Sequence, residues 1–143
     1  AQVDAARVGV APERFVLELS EQFAVRNYEL LHQKLEKPRG RGVRIAIDDL
    51  GTGYSNLGQI MRLHPDYLKV DMSLVRDVHT DRAKQALIES LIRVAESLGS
   101  EVIAEGIEVI EERDTLAGLG VELAQGFFYA PPGEGFWQPA SRQ

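Results

Sequence analysis

The segment "IAIDDLGTGYSN", residues 45–56, decides how the rest of the chain is interpreted. An apolar run typical of a buried strand leads directly into two adjacent carboxylates, Asp48 and Asp49, and then into a loop with two glycines. Like charges at the poorly solvated end of a buried strand repel each other, which disfavours their ionised state. The segment therefore predicts that a neighbouring group offsets the cost of placing these two aspartates together.

Composition narrows the class of protein. The chain has 143 residues, of which 44% are hydrophobic and 27% charged, as in an ordinary soluble globular domain. No apolar run is long enough to span a membrane, so we expect no membrane partner within this segment. The net charge of −6 disfavours the broad basic surface that binding to duplex nucleic acid requires. Without cysteine there are no disulfides or thiolate metal sites, which fits a reducing compartment.

Apolar runs alternate with helix-like segments along the whole chain. Strands are predicted at 14–20, 43–47, 66–71, 101–105 and 121–125. Helical spacing, caps and stop signals predict helices at 27–37, 57–63, 81–98 and 111–119, and a breaker segment follows the first of these at 38–42. Alternating strands and helices predict an α/β fold with a parallel sheet. The nearly continuous apolar character of the strands predicts that they are buried on both faces.

Polar side chains lie at or near the C-terminal end of every predicted strand. They are Glu18, Asp48, Lys69 with Asp71, Glu105 and Gln125. Sites in α/β folds lie at the C-terminal ends of parallel strands, so we expect these side chains to share one acidic site. Taken singly, each has a structural explanation as well. Asp49 is a common turn residue, and either Glu18 or Glu105 could form an ion pair with Lys69.

Four carboxylates converge in this arrangement, and a divalent cation would relieve their repulsion. They belong to Glu18, Asp48, Asp49 and Glu105. All-oxygen ligation, without cysteine or suitably spaced histidine, favours Mg²⁺ or Mn²⁺ over Zn²⁺. Adjacent aspartates can also serve two metal ions, a device used for phosphodiester cleavage. Lys69 would then place a positive charge near the attacking water or the phosphate.

Five motifs resemble, in the same order and with the same spacing, those of the EAL domain family, bacterial phosphodiesterases that linearise cyclic di-GMP. They are "LELSE" (17–21), "DDLGTGYSN" (48–56), "DYLKVD" (66–71), "AEGIE" (104–108) and "AQGFFYAPP" (124–132). The resemblance implies a partial (β/α)8 TIM-type barrel of about five βα units whose N-terminal strands are missing, with residues 1–143 forming the C-terminal portion of the domain. It also implies metal-dependent hydrolysis of one phosphodiester bond of cyclic di-GMP to linear pGpG, in the cytoplasm of a bacterium.

The resemblance further implies a role for each polar residue of the site. The implied metal ligands are Glu18, Asp48, Asp49 and Glu105. Lys69 and Glu105 would act on the attacking water, and Gln125 would lie nearby. A loop over residues 49–56, which contains Thr52 and Gly53, would link substrate, metals and dimerisation. Glu21 would anchor that loop, and Glu108 would border the substrate.

Departures from the family pattern shape what we expect of the chain by itself. The Glu-Ala-Leu strand that names the family and the following strand with its Asn ligand are both absent, and Met72 stands where a basic or polar residue is common. We therefore expect the chain alone to be nearly inactive and to self-associate, for example as a homodimer, through open strand edges. Two other functions stay open. One is a catalytically silent module that binds cyclic di-GMP, and the other is a metal-dependent aldolase-like or enolase-like barrel enzyme.

Overall fold

A computed structural model describes residues 10–51, 57–131 and 133 of the chain. The described part contains one sheet, whose strands are β1 (Val16–Ser20), β2 (Arg44–Leu50), β3 (Tyr67–Val70), β4 (Glu101–Ala104) and β5 (Leu123–Ala124). The strands lie side by side in their order along the chain, and every neighbouring pair is parallel. The predicted α/β fold with a parallel five-stranded sheet is therefore confirmed.

Helices connect these strands. They are α1 (Glu21–Arg26), α2 (Tyr28–Gly40), α3 (Leu57–Arg62), α4 (Met72–Val75), α5 (Arg82–Leu98) and α6 (Ile110–Leu119), and a 3-10 turn (Pro12–Arg14) precedes β1. Helix α5 begins and ends as its sequence predicts, with an Asp81 side chain that caps its first turn and a left-handed Gly99 (φ 71°) after its last. No helix in the described ranges combines the length and the apolar character needed to cross a bilayer.

The end of α2 differs from the sequence prediction. The helix continues to Gly40 and carries Pro38 in its last turn, where the breaker segment was expected to have ended it. Proline in this position lacks the N–H of the helix ladder and its ring crowds the carbonyl four residues earlier, so other contacts must stabilise the last turn. The Pro38 carbonyl accepts hydrogen bonds from Arg41 N and Val43 N, at 3.0 and 3.1 Å, and these bonds complete the helix terminus.

Two short helices and one strand boundary were also missed. Helices α1 and α4 each begin at a side-chain cap, because Ser20 Oγ accepts from Phe23 N at 3.4 Å and Asp71 Oδ1 accepts from Ser73 N at 2.8 Å. Strand β5 is shorter than predicted. The N–H of Val121 still donates to the end of α6, so the chain becomes extended only after it.

The hydrophobic core lies between the sheet and its helices. Ile45 and Leu68, from the neighbouring strands β2 and β3, are at most 1% exposed. They share one apolar cluster with Ile88 of α5 and Leu116 of α6. Each aliphatic side chain buried in this way stabilises the fold by roughly 1.5–3 kcal/mol. Strand β3 is buried along its whole length, as predicted for a strand covered on both faces.

The edge strands leave part of the sheet uncovered, and we expect the chain to self-associate there. Within the described residues, β1 pairs only with β2 and β5 only with β4, and Val16 and Leu17 of β1 are 43% and 40% exposed. An open strand edge offers unpaired backbone groups to another chain. Light scattering at micromolar concentration should give a mass above that of one chain, and Val16→Lys should lower it. A monomer at every concentration would contradict the prediction.

Candidate functional site

Strand register brings the predicted site residues to one end of the sheet. Asp48 of β2 lies opposite Ser20, the last residue of β1. The pairing of β2 with β3 is irregular between Ile47 and Leu50, and within this irregularity Asp49 has a left-handed backbone (φ 62°). Aspartate tolerates this conformation better than most residues do. The Asp49 N–H donates to Asp48 Oδ1 at 3.0 Å, which fixes the Asp48 carboxylate at the strand end.

Lys69 is the centre of the site. It lies on β3, and only 5% of the residue is exposed. Its Nζ lies 2.8 Å from Glu105 Oε1, 3.1 Å from Glu18 Oε2 and 3.3 Å from Asp48 Oδ1. One buried ammonium group therefore contacts carboxylates that come from three different strands or strand ends.

The charges of this cluster are not balanced. Three carboxylates and one ammonium group carry a formal charge of −2. Burial by itself would lower the pKa of Lys69, but hydrogen bonds to Glu105, Glu18 and Asp48 outweigh it and raise the pKa above its usual value. Burial raises the pKa of Glu105, and so does the charge of Asp48, while Lys69 opposes them without cancelling them. Lys69 therefore stays protonated, and its one ammonium group is shared among the three carboxylates.

Gln125 contacts the cluster directly. The Gln125 backbone N–H donates to Ala104 O at 2.9 Å, and its side-chain Nε2 donates to Glu105 Oε1. Glu105 follows β4, and its own N–H donates to Val70 O at 3.1 Å. The polar ends of β3, β4 and β5 are therefore tied together through both backbone and side-chain hydrogen bonds.

The remaining predicted residues lie around this cluster or outside the described residues. Glu21, the first residue of α1, is 4% exposed and follows the end of β1. Glu108 forms a two-fold ion pair with Arg76, which the sequence reasoning did not single out. The predicted loop over 49–56 is described only as far as Gly51, so Thr52 and Gly53 lie outside the described residues.

The donor chemistry of the cluster fits a hard divalent cation. Its ligating atoms are all carboxylate oxygens, which Mg²⁺, Mn²⁺ and Ca²⁺ prefer, and its formal charge of −2 equals what one such ion would neutralise. In the described part of the chain, no three acidic, histidine or cysteine side chains come together in an arrangement that could hold a metal ion. Lys69 lies between the carboxylates instead. The carboxylate oxygens are therefore of the kind that such a cation binds, but in this structure they surround Lys69.

Comparison with known proteins places the chain in a family. It matches the family model described as the EAL domain over residues 2–132. It is 37% identical over 116 residues to the cyclic di-GMP phosphodiesterase PdeR of Escherichia coli K12, and the match covers 81% of this chain and 18% of PdeR. The chain thus spans less than a fifth of the length of this relative.

Solved structures with the same fold agree with this match. BlrP1 of Klebsiella pneumoniae, in a complex with calcium and cyclic di-GMP, has a TM-score of 0.84 and 38% identity, over 89% of this chain and 32% of that one. Its complex with manganese and cyclic di-GMP has a TM-score of 0.82 and 39% identity, over 87% and 32%. The open five-stranded sheet therefore corresponds to part of a (β/α)8 barrel, as the resemblance implied. The chain belongs to the EAL domain family.

Proposed function

We propose that the complete domain containing this chain hydrolyses one phosphodiester bond of cyclic di-GMP to give linear pGpG. The observation that carries the proposal is the cluster at the strand ends, where three carboxylates surround one buried ammonium group. The cluster as a whole has a formal charge of −2. The name of PdeR supports this substrate, and so do the complexes of BlrP1 with cyclic di-GMP. We expect a domain with this activity to lie in the cytoplasm of a bacterium.

A divalent cation, Mg²⁺ or Mn²⁺, belongs to the proposal. The manganese and calcium complexes of BlrP1 support a divalent ion in this type of site. In the complete domain Glu18, Asp48, Asp49 and Glu105 would hold it. When bound, such an ion polarises the phosphate and lowers the pKa of water. The carboxylates named here would also orient it relative to Lys69.

Lys69 and Glu105 have complementary parts in the proposed reaction. The pKa of Lys69 is raised, so its ammonium group keeps its protons and serves as a fixed positive charge for a phosphate oxygen or for the attacking water. The pKa of Glu105 is shifted upward, in the direction that improves a general base. Gln125 donates to Glu105 and holds that carboxylate in a fixed orientation. Glu105 would therefore accept the proton of the attacking water.

Turnover by the complete domain tests the proposal. With Mn²⁺ present, we expect chromatography to show conversion of cyclic di-GMP to pGpG. Asp48→Asn should lower both Mn²⁺ affinity in calorimetry and kcat, by about 100-fold or more for kcat, because it removes a charged oxygen at the centre of the cluster. The matched control is Asp114→Asn, since Asp114 lies on the exposed surface of α6 and pairs with its neighbour Arg113, away from the cluster.

Three outcomes are distinguishable. Turnover that is lost in Asp48→Asn and kept in Asp114→Asn supports the proposal. Binding of cyclic di-GMP without any turnover would instead identify a silent regulatory module. Equal Mn²⁺ affinity and equal kcat in the two variants would show that Asp48 is not part of the site.

A further inference from the structure

Glu112 is a buried carboxylate that lies outside the cluster around Lys69. It is in the first turn of α6, and only 1% of the residue is exposed. Its Oε1 accepts a hydrogen bond from Asp77 N at 3.0 Å, and its Oε2 accepts from Glu108 N at 3.0 Å and Val109 N at 3.4 Å. Glutamate is almost never so deeply buried unless its charge is compensated, so this position calls for an explanation.

The surroundings of Glu112 favour its ionised form. Burial alone would raise the pKa of Glu112, but backbone N–H groups of Glu108, Asp77 and Val109 donate to it and bring the pKa below its usual value. An ionised carboxylate has only acceptor positions, and here three donors use them. A glutamine at the same position would turn an NH₂ group toward backbone N–H donors. The site is therefore built for a carboxylate.

These bonds join two loops that are far apart in sequence. Asp77 follows α4, in the connection after β3, whereas Glu108 and Val109 lie in the connection after β4. Capping of α6 accounts for the bonds to Glu108 and Val109. It does not account for the bond to Asp77, which lies 35 residues earlier in the chain.

Asp77 also has an unusual backbone. Its φ is 56°, in the left-handed region that residues other than glycine seldom adopt. Aspartate tolerates this conformation better than most other residues do, and the bond to Glu112 is one constraint that holds Asp77 in it. The residue before it, Arg76, forms the two-fold ion pair with Glu108, with both N···O distances at 2.5 Å. Glu112 thus fixes the backbone on both sides of that pair.

We propose that Glu112 is a positioning residue for the cyclic di-GMP site, an inference that rests on the proposed function. Glu112 holds the loops after β3 and β4 at a fixed spacing, and so presents Arg76 and Glu108 together to the ligand. Their side chains are 32% and 43% exposed, so both reach solvent at the end of the sheet that carries Lys69 and Glu105. The bidentate pair fixes the guanidinium and carboxylate groups relative to each other, which adds geometric specificity to the recognition of a polar ligand.

Glu112→Gln in the complete EAL domain tests this role, with steady-state turnover of cyclic di-GMP and amide hydrogen exchange as readouts. We expect KM to rise about tenfold while kcat stays within about threefold, because the ligand-facing pair is displaced and the Lys69 cluster is not. Exchange at the amides of Asp77 and Glu108 should accelerate about tenfold. Asp66→Asn is the matched control, since Asp66 Oδ2 also accepts from a backbone N–H, that of Ile45 at 2.7 Å, but at the opposite end of the sheet. It should leave KM within about twofold.

A second variant keeps the inference testable if Glu112→Gln does not fold. Arg76→Gln changes a partly exposed side chain, so the fold should tolerate it, and it should raise KM by a similar factor. Either folded variant with the parent KM would show that Glu112 or Arg76 has only a structural role and would overturn the inference. Absence of cyclic di-GMP binding by the parent domain would overturn the proposed function itself, and this inference with it.

Discussion

Replacing Lys69 by alanine in the complete domain is expected to lower kcat for cyclic di-GMP by about 10³-fold. The side chain places one fixed positive charge within 3.3 Å of three carboxylates, on a residue that is only 5% exposed to solvent. Loss of one preorganised electrostatic group in a shielded site typically costs about 10²–10³-fold in kcat. Steady-state turnover in the presence of Mn²⁺ measures the effect. Unchanged turnover would show that Lys69 is only a structural ion-pair partner.

The same substitution should change how stability depends on pH. Without Lys69, no cation opposes the burial of Glu105 and its repulsion by Asp48, so the pKa of Glu105 in the folded chain rises further above that in the unfolded chain. The folded state then binds more protons, and the free energy of unfolding falls as the pH rises through that range. Urea denaturation between about pH 5 and 8 would show this slope. Lys34→Ala, an exposed change on α2, is the control and should show no added slope.

How much of the site the sequence predicts depends on the range of each interaction. Polar residues at the ends of parallel strands must meet at one edge of the sheet, so the amino-acid pattern alone is enough to group Glu18, Asp48, Lys69 and Glu105. The pattern could not say that the Lys69 ammonium group contacts all three carboxylates at once. That contact depends on the strand register together with the irregularity in the pairing of β2 with β3.

Arg76 and Glu112 were missed for a different reason. Their main contacts are 32 and 35 residues away in sequence, and neither residue lies on a strand. Glu112, at the start of α6, is typical of an ordinary first-turn acidic residue, which the helix dipole favours. Only its burial and its bond to Asp77 distinguish it. A local pattern contains neither of these facts, because both depend on how the two connections fold against each other.

The fold was predicted better in its long elements than in its short ones. Strong amphipathic spacing and two capping residues defined α5, whereas α1 and α4 are six and four residues long. Helices this short owe their stability to packing more than to their own sequence. The same reasoning explains α2, where tertiary contacts and the bonds to the Pro38 carbonyl carry the helix through a residue that would end it in isolation.

Gly126→Ala is expected to lower the free energy of unfolding by about 3–5 kcal/mol. Gly126 follows Gln125 and has a φ of 157°, and a Cβ atom added there would collide with the backbone N and O atoms of Ile107. The clash is between two backbones, so a change of side-chain rotamer does not relieve it. Hydrogen bonds also hold this contact closed, since Ile107 N donates to Gln125 O at 3.2 Å and Phe128 N donates to Ile107 O at 3.0 Å. The midpoint of urea denaturation measures the loss.

Gly118→Ala provides the matched control for this prediction. Gly118 lies inside α6, and a Cβ atom added there meets nothing within 4 Å. Alanine in a helix interior is more stable than glycine by about 0.5–1 kcal/mol, so this variant should unfold at a higher urea concentration. The two substitutions therefore add the same atom and should have opposite effects. If Gly126→Ala shared the stabilisation of Gly118→Ala, the segment after β5 would not be docked on Ile107, and the orientation of Gln125 toward Glu105 would lose its structural basis.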